Sequence, residues 1–94
     1  MIDKSFLQFK LSERLNHIKQ QHVFNKRQLE GYETTILQYK SILHNTSENE
    51  IGNFYHCIFE EEKRQKQLYY WTDFQTGKKE AVIDIATILR QYSD

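Results

Sequence analysis

Proline is absent from this chain, and glycine occurs only at positions 31, 52 and 77. A loop-rich β domain needs turn-forming residues in quantity, so their scarcity favours helices. Cys57 is the single cysteine, which excludes an intrachain disulfide and makes a reducing, cytoplasmic setting the expectation. Net charge is zero, from 13 basic and 13 acidic residues. That balance removes any global attraction to nucleic acid or an anionic membrane. No apolar run approaches the length of a membrane span. The opening Met1-Ile2-Asp3-Lys4 has no hydrophobic stretch behind its charges, so no signal peptide is expected. There is no glycine-rich phosphate loop, no Ser–His–Asp order and no paired-carboxylate motif. No catalytic, cofactor or metal site is therefore expected.

What is present describes a globular chain. Of its 94 residues, 38% are hydrophobic and 28% charged, which predicts one domain over residues 1–94 with a modest core. Aromatics at 14% are abundant for this length and imply large buried rings, a sticky surface, or both. The charges are polarised along the chain: residues 1–46 carry +3 and residues 47–94 carry −3. Such asymmetry can dock the two halves or orient two copies, although an evenly solvated surface is the commoner cause.

The strongest pattern is a seam at heptad spacing: Leu11, Leu15, Ile18, His22, Asn25, Leu29, Tyr32, Ile36, Tyr39 and Leu43. Alternating steps of four and three return side chains to one stripe only on an α-helix. A first helix can begin at Asp3 or Ser5, with Leu7 extending the stripe and Phe6 and Phe9 widening it. His22 and Asn25 interrupt the apolar series. Asn25-Lys26-Arg27-Gln28 has the form of an Asn cap answered by Gln three residues later. One straight helix would leave Val23 and Phe24 in solvent. In a parallel, in-register coiled coil the flanking positions would pair Arg14 with Lys19, which repels, and would form no salt bridge elsewhere. The spacing thus predicts a helical hairpin broken near 22–26, with Val23 and Phe24 packing at its corner. The second helix runs from about Lys26 to His44.

Asn45-Thr46-Ser47 reads as a loop and Ser47-Glu48-Asn49-Glu50 as a capping box opening a helix over 48–66. Ile51, Phe54, Tyr55, Ile58 and Phe59 give that helix its apolar face. Pairs Glu60–Arg64 and Glu62–Lys66 support its solvated side. An α+β alternative places a β-hairpin at about 53–74, but the intervening stretch lacks turn residues. Leu68–Phe74 reads as an aromatic linker or short strand, Gln75-Thr76-Gly77-Lys78 as a turn, and 80–92 as a last helix burying Ala81, Ile85, Ile88, Leu89 and Tyr92.

Two constellations invite a chemical reading. His56 and Glu60 have the spacing of a two-ligand metal clip but no third ligand in sequence, since Cys57 points elsewhere on a helix and reads better as a small buried hydrophobe. Lys63, Arg64 and Lys66 precede Tyr69, Tyr70, Trp71 and Phe74, the mixture of cations and rings found at single-stranded nucleic-acid sites and protein interfaces. Three adjoining glutamates and the neutral balance favour the protein interface.

The resulting expectation is a mainly α fold: a helical hairpin, a third helix, an aromatic linker and a C-terminal helix. The function it implies is a small, non-enzymatic, regulatory protein–protein interaction module that self-associates through helix packing. Tyr69, Tyr70, Trp71, Phe74, Lys63, Arg64 and Lys66 are its candidate partner-binding residues. Nucleic-acid binding through Lys63, Arg64 and Lys66 with Tyr69, Tyr70 and Trp71, or an inhibitor from a phage or other mobile element, are the alternatives. No membrane partner is implied.

Overall fold

The computed structural model describes residues 3–68 and 72–92. Four α-helices and one 3-10 turn account for them: α1 Lys4–Gln21, α2 Lys26–His44, the turn Glu48–Glu50, α3 Ile51–Lys66 and α4 Asp73–Tyr92. No strand occurs among the described residues, so the β-hairpin alternative over 53–74 is not supported.

The N-terminal hairpin forms as its punctuation requires. Asp3 caps α1 by accepting the Ser5 N–H at 3.1 Å. His22 ends α1 in the left-handed region, at φ 54°, and turns the chain. Asn25 and Gln28 then form a reciprocal capping box: the Asn25 side chain accepts the Gln28 N–H at 2.8 Å, and the Gln28 side chain accepts the Asn25 N–H at 3.0 Å. A cap of this kind contributes about 1 kcal/mol. Gln8 donates to the Lys40 carbonyl, Lys40 to Ser12, and Lys4 to the carbonyls of His44 and Thr46, which fixes α1 antiparallel to α2. Lys4 thereby satisfies orphan carbonyls at the α2 C-terminus, where a cation is electrostatically favoured.

The two remaining helices place the core. Leu7, Leu11, Leu15 and Ile18 of α1 join Tyr32, Ile36 and Leu43 of α2, Ile51, Phe54 and Ile58 of α3, and Ala81, Ile85, Ala86, Ile88 and Leu89 of α4 in one apolar cluster. The Phe6–Tyr92 ring contact and the Arg14–Asp84 ion pair run α1 antiparallel to α4. Consequently α2 and α4 run parallel, and these two pack most extensively. Their backbones touch. A methyl group built on Gly31 would fall 2.0 Å from the Phe74 carbonyl oxygen, and one on Gly77 would fall 1.8 Å from that of Gln28. Only glycine fits at either position.

Several local expectations are corrected. Gln75–Lys78 is helix rather than turn, and α4 starts at Asp73 rather than near 80. Thr72 and Gln75 cap it: Thr72 Oγ1 accepts the Gln75 N–H at 3.1 Å, and the Gln75 side chain accepts the Thr72 N–H at 3.4 Å. Gly77, a turn residue in isolation, serves the close crossing instead. Phe74 likewise sits in the first turn of α4, not in a strand. Ser47 makes no side-chain cap to backbone; its hydroxyl bonds the Asn49 and Glu50 side chains. Phe6, Phe9 and Tyr92 are exposed rather than part of the buried stripe, as is Val23 at the corner, where Phe24 alone packs inward. Cys57 is exposed, not a buried hydrophobe.

Candidate functional site

Because α2 and α4 run parallel, residues 22–25 before α2 and the first turn of α4 fall at the same end of the bundle. Arg27, in the first turn of α2, lies over the Phe74 ring at 4.7 Å, in the first turn of α4. Phe24 leans on the Tyr32 ring, with centroids 5.4 Å apart. Val23, next to Phe24, is 59% exposed, and Leu68, just after α3, is 41% exposed. Arg27 and Phe74, far apart in sequence, thus meet at one end, a juxtaposition that no spacing rule reveals.

The cations expected at this site are there, but each is engaged. Lys63, Arg64 and Lys66 occupy the last turns of α3, where positive charge complements the helix C-terminus. Lys63 meets Glu60 at 3.8 Å, Arg64 binds Glu61, and Lys66 meets Glu62 at 3.5 Å. The expected Glu60–Arg64 pair is replaced by these one-turn neighbours, while Glu62–Lys66 stands. Tyr69, Tyr70 and Trp71 lie outside the described residues. Of the expected site, therefore, Phe74 joins the loop end and the three cations pair with the glutamates of their own helix.

The glutamate run is not uniformly solvated. Glu62 is buried, held by Arg90 of α4, whose Nη1 donates at 3.1 Å. The Arg90 hydrogen bonds, followed by the charges of Arg90 and Lys66, hold the Glu62 carboxyl below its ordinary range against the opposing effect of burial. Arg64 does the same for Glu61.

Two further hollows lie along the bundle. One, about 520 Å³ and open to solvent, is lined by Gln38, Tyr39, His56, Cys57, Glu60, Glu61, Arg64 and Lys78 between α2 and α3. It collects the His56, Cys57 and Glu60 side chains, yet no group of three His, Cys, Asp or Glu residues among the described residues could hold a metal ion. Tyr39 projects into it with its phenol pushed up, first by burial and then by Glu61 and Cys57. The other hollow, also about 520 Å³, is lined by Lys10, Glu13, Arg14, His17, Asp84, Thr87, Ile88, Gln91 and Tyr92 between α1 and α4. Its floor holds a three-helix network: Tyr32 donates to Asp84 Oδ2 at 2.6 Å, and Arg14 Nε donates to the same oxygen at 3.1 Å. Burial, and then the bond to Asp84, push the Tyr32 phenol far above its ordinary value, so it stays a proton donor. The network satisfies itself, tying α1, α2 and α4 together.

No match emerges from comparison with protein-family models, curated proteins or solved structures. Among the described residues, no helix is long and apolar enough to cross a membrane.

Proposed function

We propose that this chain is a non-enzymatic interaction module that binds a partner protein, and modulates it, through the loop end of the bundle. The observation that carries the reading is the exposed Val23 beside the half-buried Phe24, at the end of the bundle where Arg27 covers Phe74, with Leu68 exposed after α3. Neither Val23 nor Leu68 belongs to the buried cluster, and charged residues flank each in the chain, Lys26 and Arg27 beside Val23 and Lys63 and Lys66 before Leu68, the mixture of apolar and charged side chains usual at a protein contact. The pairing of Lys63, Arg64 and Lys66 with glutamates weakens the nucleic-acid reading, since phosphate binding draws on cations free to release counterions.

The test is affinity capture from source-cell lysate with the wild-type chain and with Val23→Asp and Leu68→Asp, recovering protein and nucleic acid separately. Capture of a protein whose recovery falls roughly tenfold with each variant, about 1.4 kcal/mol, is expected. Unchanged capture by both variants, at unchanged circular dichroism, would move the contact elsewhere.

A further inference from the structure

The buried stripe of α3 changes character halfway along the helix. Ile51, Phe54, Ile58, Glu62 and Gln65 follow in steps of three and four, and all five are buried. A stripe at this spacing faces the core and is ordinarily apolar throughout, as Leu7, Leu11, Leu15 and Ile18 are on α1. On α3 the first three positions are apolar and the last two are not. Glu62 and Gln65 are each only 5% exposed. Glu62 keeps its charge through Arg90 of α4, which also lies over the Phe59 ring at 5.0 Å, yet the Arg90 side chain is itself 55% exposed. Gln65 is held less well. Its Nε2 reaches Glu61 at 3.4 Å, and its Oε1 has no hydrogen-bond partner among the described residues. A buried acceptor left in that state forfeits the hydration it regains when the segment opens.

We propose that the second half of α3, from Phe59 to Lys66, is a displaceable segment that leaves α4 and unwinds while Ile51, Phe54 and Ile58 keep the first half in the core. Leaving and unwinding go together, because roughly two turns of helix are unstable in water without packing. Arg90 is the clasp, the one described side chain of another helix that binds the segment by an ion pair. The pairs Lys63–Glu60, Arg64–Glu61 and Lys66–Glu62 all lie within α3 and exist only while it is helical. Opening therefore releases three cations at once, together with Leu68 behind them. In the closed state the segment withholds those cations, and in the open state it presents them. Only that consequence rests on the interaction reading; the opening itself is a property of the chain alone.

Residue-resolved amide hydrogen exchange of the purified full chain, in water and in low urea, tests it without any partner. The amides of Glu62–Lys66 should be at least about tenfold less protected than those of Tyr55–Ile58 in the same helix. Their urea dependence should be shallower than that of Ile36 and Ile85, because a partial opening exposes less surface than whole-chain unfolding. The last turn of α2, which ends on the buried Leu43, controls for ordinary fraying and should remain the better protected of the two helix ends. Two variants test the cause. Gln65→Leu removes the unpartnered acceptor and slows exchange in the segment, whereas Arg90→Gln opens the clasp and speeds it about tenfold. Protection at Glu62–Lys66 equal to that at Tyr55–Ile58, or no lower than in the last turn of α2, overturns the proposal. So does a urea dependence as steep as that of Ile36 and Ile85, since the segment would then open only with the whole molecule. Exchange left unchanged by either variant overturns it as well.

Discussion

Helix α4 meets its two neighbours in opposite ways. Against α2 it lies backbone to backbone, with Gly31 and Gly77 each opposed by a main-chain carbonyl of the other helix. Against α1 it is held by side chains that reach across a gap: Arg14 to Asp84, and Phe6 to Tyr92. The first contact has no slack, because nothing lies between the two backbones that can move aside. The second is adjustable, since long side chains span it, and it leaves a solvent-filled recess. Rigidity and accommodating surface are thus divided between the two sides of one helix.

Breaking the rigid side carries the largest expected effect. Gly31→Ala or Gly77→Ala forces the helices apart and costs about 3 kcal/mol, read as a drop in the urea midpoint. Gly52, which has open space where a methyl would go, is the internal control. Gly52→Ala should stabilise by about 0.5 kcal/mol through helix propensity. Equal destabilisation at all three positions would mean that the crossing is no tighter than an ordinary helix contact.

Next comes the polar network shared by both sides. Tyr32 is fully buried, and Tyr32→Phe removes its bond to Asp84 while leaving the ring packed, at an expected cost of about 1 to 2 kcal/mol in the same titration. A negligible change would show that Arg14 alone satisfies the carboxylate.

The smallest effect belongs to the adjustable side. The Arg14 side chain is 41% exposed, so solvent screens its pair with Asp84, and Arg14→Gln should cost only about 0.5 kcal/mol. That loss should shrink further with added salt. A cost matching that of the glycine substitutions would erase the distinction between the two contacts.

The legible part of the sequence was local. Leu7, Leu11, Leu15 and Ile18, and after the break Tyr32, Ile36 and Leu43, are buried as their spacing requires, and the Asn25–Gln28 box starts α2 where its residue types indicate. What escaped depends on what lies across the bundle. Gly77 between Thr76 and Lys78 looks like a turn until a second helix is known to press on it. Thr72 and Gln75 held the signature of a capping box, a signal of the same kind as Asn25 and Gln28, but it was masked by the β-branched and aromatic residues around it. Phe9 and Cys57 show the reverse error: residue types that favour burial are left outside because no element among the described residues covers that face. The candidate site was legible only in part. Phe74 could be named, but its neighbour Arg27 belongs to another helix, and only the fold brings them together.

The Gly31–Gly77 crossing also orders events in time. The α1–α2 hairpin closes over a four-residue turn, whereas α2 reaches α4 only across the much longer intervening segment that carries α3. Closing the longer segment costs more chain entropy and is repaid only once both helices exist. The tightest contact in the molecule is therefore the one expected to form late, so that Gly77→Ala hastens unfolding far more than it slows folding. The glycines then act less as a seed for the structure than as a latch that keeps the completed bundle from opening.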